Sequence, residues 1–399
     1  MDYRLTEQQQ VLRKEFEAFF SLEMKNAPSE TLKGGFERIF VSDETWNFHR
    51  SMAKKLAEKG WLTRAWPKKY GGQEASLIEQ LLFNEVRAYY RSPGVDSWAL
   101  GMFAPTILLA GTEDQKERLL PPMARAEVHY CQGWSEPDAG SDLASLRTTA
   151  IKKGDYYVVN GQKTWTSGAH RSSHMFLLAR TDPSKNRNEG LAMFNLSLDL
   201  PGIEIRPILF MNGDHIYNEV FFKDVKIPEY DRIGPENEGW RLTRETMNFE
   251  RSCIELFAET LHQFENLVEY VKTTKRNGRY LSEDPVIRQK IAQLHIDIEL
   301  GRAFAYRIAW MQEKGGLTLA ASVASESKLF GSELTRRFAD TVLEIMGMYG
   351  QVKDSKWAPY RGSFVDLYEL STGYTIGGGT SEIQRNLIAW FGLHLPRFK

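Results

Sequence analysis

The sequence has few cysteines and no excess of charge of either sign. Two cysteines among 399 residues, Cys131 and Cys253, exclude a disulfide framework and are typical of a reducing cytoplasm. Lys and Arg total 51 against 52 Asp and Glu, so the basic surface of a nucleic-acid-binding protein is not expected. No cluster of His, Cys and Asp has metal-ligand spacing, so no metal site is expected either.

Long apolar runs are also missing. No stretch of about 18 apolar residues is present, so we expect no transmembrane helix. The first residues, Met1–Glu7, are too polar for a secretory signal, and the expected location is therefore cytoplasmic. No G-x-G-x-x-G pattern follows a predicted strand, which argues against a Rossmann dehydrogenase.

Apolar and aromatic residues are plentiful. Hydrophobic residues make up 42 % of the chain, and 10 Trp, 16 Tyr and 22 Phe can pack a large core or cover a planar ligand. The length predicts two or three folding units.

The hydrophobic period changes twice along the chain. Residues 1–124 have a helical pattern that begins with a capping box at Thr6–Gln9, residues 125–234 have a strand pattern, and residues 235–399 are helical again. No helical period interrupts the strands, so an antiparallel sheet is favoured over βαβ units. We therefore predict an α+β fold with an N-terminal helical domain (1–124), a middle antiparallel β domain (125–234) and a C-terminal four-helix-bundle-like domain (235–399).

Two local patterns make this prediction specific. Asn160-Gly161 separates two β-rich runs within Asp155–Trp165, which predicts a hairpin turn at this pair. A stripe with steps of three and four residues predicts a helix of the C-terminal bundle, with small residues where a neighbouring helix approaches closely. The stripe consists of Ile287, Ile291, Leu294, Ile298, Gly301, Ala305 and Ile308.

Three segments carry candidate chemistry. In Cys131–Asp142, Gly140 permits close backbone approach to a ring or phosphate, and Ser135 and Ser141 offer hydrogen-bond donors; the alternative is a polar turn between strands. Asn160–Gly168 contains Trp165, whose ring can cover a planar ligand or fill the core. Tyr374–Arg385 contains three consecutive glycines and also has the pattern of a helix N-terminus, which favours an anion.

Taken together, these three segments resemble the signatures of acyl-CoA dehydrogenases, and the resemblance covers nearly the whole chain. It implies non-covalently bound FAD, an acyl-CoA substrate, an electron-transfer flavoprotein as electron acceptor and a homo- or hetero-tetramer. The cofactor-binding residues that it implies are Trp134, Ser135, Gly140, Ser141, Trp165, Thr166, Ser167, Arg276, Thr380 and Glu382. The implied substrate-binding residues are Ser141, Asn248, Arg251, Gly377 and Gly379.

One departure from the family pattern decides where the catalytic base is sought. Members often carry a glutamate two residues before the threonine of the C-terminal signature, and here that position is Gly378. Glu250 matches the other placement that the family uses, on an earlier helix, and its alternative is a charge pair with Arg251 on a solvated face. The resemblance implies that Glu250 removes the α-proton and that the Gly378 N–H binds the thioester carbonyl. The two small residues Gly377 and Gly378 leave room for a wide acyl group.

A second departure keeps other functions open. The family segment that reaches a neighbouring subunit's flavin corresponds to Lys275–Arg279, where the usual aromatic residue is missing. Arg276 or Arg279 is the candidate for the pyrophosphate, and the alternative is an ordinary surface arginine. A non-catalytic subunit of a mixed oligomer is therefore one alternative. The other alternative is a flavin oxidase or monooxygenase on the same fold. Such a protein needs no α-proton base, so Glu250 argues against it.

Overall fold

The computed structural model describes residues 4–250, 252–315 and 317–397, without the side chains of residues 248–250 and 317–321. Two compact units are present. One contains Met1–Arg38, Ser76–Pro93 and Arg251–Lys399, and the other contains Ile39–Ala75 and Gly94–Glu250. The domain limits proposed from the sequence stay predictions.

Helices dominate the described part of the chain. In order, they are α1 (Glu7–Glu23), α2 (Asp43–Glu58), α3 (Leu77–Tyr89), α4 (Ala104–Ala110), α5 (Glu113–Ala124), α6 (Gly239–Glu250), α7 (Ile254–Thr273), α8 (Pro285–Glu313), α9 (Leu317–Met346), α10 (Ser363–Tyr374) and α11 (Ser381–Leu387). Helices α1, α3 and α7–α11 belong to the first unit, and α2 and α4–α6 belong to the second.

The strands of the second unit form one sheet. They are β1 (Tyr130–Gly133), β2 (Thr149–Lys153), β3 (Tyr156–Lys163), β4 (His174–Arg180), β5 (Leu191–Ser197), β6 (Ile203–Leu209), β7 (His215–Pro228) and β8 (Arg232–Ile233). A short antiparallel hairpin in the first unit contains β9 (Lys275–Arg276) and β10 (Arg279–Tyr280).

The order of the sheet is β6-β7-β3-β2-β4-β5-β8, with β1 beside β4. Neighbours are antiparallel except for two parallel pairs, β1 with β4 and β2 with β4. Its inward residues, among them Tyr157, Phe194 and Val220, are fully buried and form one apolar core. The predicted order of helical, β and helical regions is confirmed.

Local signals in the sequence explain several helix features. Thr6 Oγ1 accepts from the Gln9 N–H at 3.2 Å and Gln9 Oε1 accepts from the Thr6 N–H at 3.0 Å, which confirms the capping box. The predicted stripe lies on α8, where a Cβ at Gly301 would be 2.2 Å from the Phe257 ring of α7. The small residue therefore does allow a neighbouring helix to approach.

The hairpin turn predicted at Asn160-Gly161 is wrong. Strand β3 runs through this pair without turning, because β2 on one side and β7 on the other both bind it. The turn lies earlier, between Lys153 and Tyr156, which are opposite each other in the β2–β3 register. Gly161 serves a different purpose: its register with β7 is irregular, and a Cβ there would lie 2.6 Å from Thr148 Oγ1.

In the part of the chain that the structure describes, no helix is both long and apolar enough to cross a membrane. Within the same residues, no group of three or more His, Cys, Asp or Glu side chains is arranged to hold a metal ion. Cys131 and Cys253 form no disulfide bond with each other.

Candidate active site

The first motif forms the loop that follows β1. Trp134 is buried, Ser135 is half-buried, and Gly140 and Ser141 are exposed. A Cβ built at Gly140 would meet no described atom within 4 Å, so one side of the loop is open to a ligand. The loop can therefore present its serines and its backbone to a bound molecule.

A buried ion pair joins this loop to β3. Lys163 Nζ donates to the Trp134 carbonyl at 2.9 Å and to Glu136 Oε1 at 2.8 Å, and the lysine side chain is fully buried. Glu136 also accepts from the N–H groups of Arg147 at 2.6 Å and Thr148 at 2.8 Å. Burial opposes ionisation of Glu136, but the Lys163 ammonium and these donors hold the pKa of its carboxyl below the ordinary value. The pair thus fixes the position of Trp134 and its neighbours.

The second motif begins where β3 ends. The Thr164 N–H donates to the Ser135 carbonyl at 2.9 Å, which places the two motifs side by side. Trp165 has a left-handed backbone (φ +57°), and its ring is 57 % exposed although it packs edge-on against Tyr217 at 5.8 Å. The Thr166 N–H donates to the Asn218 carbonyl at 3.0 Å and fixes the chain on the other side of the tryptophan.

These residues fit the isoalloxazine group of a flavin. Trp165 offers an uncovered aromatic surface, and the buried Thr166 hydroxyl has no hydrogen-bond partner among the described residues. An orphaned hydroxyl next to an exposed indole suits a planar ligand edged with nitrogen and carbonyl groups. Ser167 is buried beside them, so Ser135, Trp165, Thr166 and Ser167 are the residues that would hold the ring.

The glycines of the third motif form a loop between α10 and α11. Lys328 Nζ donates to the carbonyls of Tyr374 at 3.1 Å and Gly379 at 2.7 Å, and Gln384 Nε2 donates to the Gly378 carbonyl at 3.1 Å. Gly377 and Gly378 are exposed, and Gly378 has φ +66°. No acceptor for the Gly378 N–H lies within the described part of the chain. This N–H can therefore donate to a carbonyl oxygen of a bound molecule.

Thr380 and Glu382 begin α11. Thr380 Oγ1 accepts from the Ile383 N–H at 3.3 Å, so the helix-cap interpretation of this segment is confirmed. Glu382 is exposed in the first turn, where a hydrogen bond from its own backbone N–H and one from Thr380 lower the pKa of its carboxyl. Their contact with a flavin stays a prediction.

Four further candidates are in other segments of the sequence, and three of them have side chains outside the described part of the structure. Arg276 is exposed on β9 and donates to the Ile345 carbonyl. Asn248 and Glu250 belong to the last turn of α6, but their side chains are outside the described part of the structure, as is the whole of Arg251. The proposed roles of these residues stay predictions.

Sequence reasoning missed the buried groups that hold both loops. Glu136 and Lys163 lie inside the first and second motifs. A lysine on the same inward face of β3 as the buried Tyr157 needs a buried partner, and this pattern could have indicated the ion pair. Lys328 and Gln384 are also buried, and no local pattern marks them as partners of the glycine loop.

Known proteins match nearly the whole length of this chain. The family models "Acyl-CoA dehydrogenase, N-terminal domain", "middle domain" and "C-terminal domain" match residues 6–127, 131–225 and 237–392. The acyl-CoA dehydrogenase FadE26 of Mycobacterium tuberculosis is 32 % identical over 98 % of both chains.

Two solved structures are similar over their full length. The ChsE4-ChsE5 complex from Mycobacterium tuberculosis has a TM-score of 0.89 and 31 % identity, with 100 % of each chain covered. The Tcur3481-Tcur3483 steroid ACAD has a TM-score of 0.88 and 29 % identity, again with 100 % of each chain covered. Members of the family that the models describe are FAD-dependent flavoproteins. The chain therefore belongs to the acyl-CoA dehydrogenase family and is an oxidoreductase that acts in acyl-CoA dehydrogenation.

Proposed function

We propose that this chain binds FAD and converts an acyl-CoA thioester to the trans-2-enoyl-CoA, with Glu250 as the base. The observation that carries the proposal is the exposed Gly378 N–H, which has no acceptor within the described residues and lies in a loop held by Lys328 and Gln384. The same residue lacks the carboxylate that many relatives carry there, so the base must come from elsewhere.

The chain's own groups divide the proton chemistry between them. The Glu250 carboxylate takes the α-proton, while the Gly378 N–H donates to the thioester oxygen, where negative charge develops. Bound FAD supplies the acceptor for the hydride that leaves the β-carbon. Trp165 covers the ring, and Thr166 with Ser167 donates to its polar edge.

We further propose that the acyl group is wide, with a fused-ring acyl group as the first choice. Gly377 and Gly378 place no side chain beside the thioester, and among the described atoms a Cβ at Gly378 would come within 4 Å of Lys328 Cε alone, at 3.9 Å. A protein of the same fold and length, with 29 % identity, is described as a steroid ACAD, which supports this choice.

Two partners follow from the relatives and the family. Similarity to a chain of the ChsE4-ChsE5 complex supports assembly with a second, different chain, as an alternative to a homo-tetramer. An electron-transfer flavoprotein is the proposed acceptor of electrons from the reduced flavin. A cytoplasmic location stays a prediction.

The test is anaerobic bleaching of the flavin by a panel of straight-chain, branched and fused-ring acyl-CoAs. Glu250→Gln is expected to keep its flavin and lose about 10²- to 10⁴-fold in bleaching rate, which is the usual contribution of a positioned base. Glu245→Gln is the matched control, because Glu245 lies on the same helix and pairs with Arg241 at 2.8 Å. Near-parental bleaching by Glu250→Gln, or no bleaching by any acyl-CoA, would contradict the proposal.

A further inference from the structure

Helix α9 buries two adjacent polar side chains, Ser327 and Lys328. Ser327 is fully buried and Lys328 is 8 % exposed. A buried hydroxyl and a buried ammonium group are costly unless they are hydrogen-bonded, so their partners indicate what the helix holds. These partners lie in two different segments of the first unit.

Ser327 binds the chain that leads out of the base-bearing helix. Its Oγ donates to the Ser252 carbonyl at 2.8 Å, and Ser252 follows Glu250 by two positions. The next residue, Cys253, has φ +56° and begins the turn into α7. The anchored Ser252 carbonyl and the left-handed residue after it together fix the chain at the start of α7, two residues beyond Glu250 in the sequence.

Lys328 binds the loop that carries the Gly378 N–H. Its ammonium group contacts the carbonyls of Tyr374 and Gly379, which lie at the two ends of the loop. The Tyr374 hydroxyl in turn donates to Glu37 Oε2 at 3.2 Å, so the first residue of the loop is held at its side chain as well as at its carbonyl. The direction of the Gly378 N–H depends on these contacts.

We propose that Ser327 and Lys328 are positioning residues for removal of the α-proton, and this inference rests on the proposed function. Ser327 fixes the backbone that follows the base, and Lys328 fixes the N–H that stabilises the developing negative charge. Because the two residues are consecutive on one helix, α9 sets the position of both chain segments together. Neither side chain needs to touch the substrate for this role.

The experiment measures proton removal separately from hydride transfer. The probe is the analogue of the best acyl-CoA of the bleaching panel in which both β-hydrogens are replaced by methyl groups, so that no hydride can leave. The flavin-loaded protein is incubated with it in D₂O, and exchange of the α-protons is followed by mass spectrometry. This reaction needs the base and the carbonyl donor only.

We expect Lys328→Met to lower the limiting rate of exchange about 10- to 100-fold with little change in KM, because misplacement by about 1 Å has effects of this size. Ser327→Ala is expected to act in the same direction, and Lys328→Arg to restore part of the rate. The double variant should exchange its α-protons no more slowly than the slower of the two single variants. Either change alone already releases the alignment of the base with the Gly378 N–H.

Two matched controls separate positioning from stability. Ser332→Ala removes another fully buried hydroxyl of α9, which donates to the Leu329 carbonyl of the same helix at 3.3 Å. Lys353→Met removes a half-buried lysine that pairs with the side chains of Asp366 and Glu369. Both controls should exchange at the parental rate even where they melt earlier.

The outcomes distinguish the two proposals. If Glu250→Gln abolishes exchange while Lys328→Met and Ser327→Ala exchange like the parent or like their controls, the positioning proposal is wrong. The proposal that Glu250 is the base then still stands. If the parent shows no exchange, or if Glu250→Gln exchanges as fast as the parent, both proposals fail.

Discussion

Replacement of Lys163 by methionine tests whether its ion pair with Glu136 holds the loop after β1, which we propose faces the flavin. The change keeps an unbranched side chain that is one atom shorter, and it removes both hydrogen bonds, to Glu136 and to the Trp134 carbonyl. Loss of one partner from a buried pair costs about 3–5 kcal/mol, because a charge is left without its counterion. Glu136 keeps two backbone N–H donors, from Arg147 and Thr148, so we expect the lower end of that range, about 3 kcal/mol.

The assay is calorimetric melting of the unit that contains the sheet, followed in parallel by release of flavin absorbance. For a unit of this size 1 kcal/mol corresponds to roughly 2–4 °C, so the transition should fall by about 6–12 °C. The control is Lys152→Met, because Lys152 pairs with Glu229 at the exposed surface of the same sheet. That variant should melt with the parent, since exposed pairs contribute little.

A second variant decides whether the unpaired charge is the cause. Lys163→Met combined with Glu136→Gln leaves neither member of this buried pair charged. Arg147 and Thr148 bind different carboxylate oxygens, so the amide oxygen can still accept from one of these two N–H groups. It should therefore melt above Lys163→Met alone. If Lys163→Met melts with the parent, or if the double variant melts lowest of all, the reasoning is refuted.

Two other predictions concern each unit separately. Burial raises the pKa of Glu37 to about 7. The protonated carboxyl therefore contributes about 3 kcal/mol to the free energy of unfolding below the pKa of the unfolded chain, and this contribution is lost as the pH rises to 7. In urea titrations, Glu37→Gln should make the free energy of unfolding less dependent on pH between pH 5 and 7, whereas Glu15→Gln, at an exposed site, should not. An unchanged pH dependence in Glu37→Gln would contradict this. Gly168→Ala places a Cβ 2.2 Å from the Phe40 ring, whereas Gly154→Ala, at a similar φ, meets nothing within 4 Å. Gly168→Ala should therefore lose about 1–3 kcal/mol more in thermal melts than Gly154→Ala, and equal losses would show that the contact is unimportant.

Features that depend on neighbouring residues were predicted well. The capping box at Thr6, the cap at Thr380 and the buried stripe of α8 follow from side chains within a few positions of one another. A hydrogen bond three residues along, or a repeat of 3.6 residues, is visible in the sequence whatever the rest of the chain does.

Features that depend on distant residues were not. Asn160-Gly161 has the composition of a turn, but strands on both sides keep β3 straight, and the glycine serves the close approach of Thr148 instead. Lys328 and Gly379 are 51 positions apart, and their hydrogen bond leaves no periodic trace. The side chain of Glu250 lies outside the described residues, so its role stays a prediction.

Because Trp165 has a left-handed backbone, the residue that best suits stability and the residue that best suits the proposed function differ at this position. Glycine at this position would relieve backbone strain of roughly 1 kcal/mol, and it would also delete a solvent-exposed aromatic ring. Under the proposed role of Trp165, a library of variants selected only for survival of heating should therefore accumulate glycine at this position and lose the flavin colour. Selection for thermal stability then needs a second screen, for the absorbance of the proposed flavin.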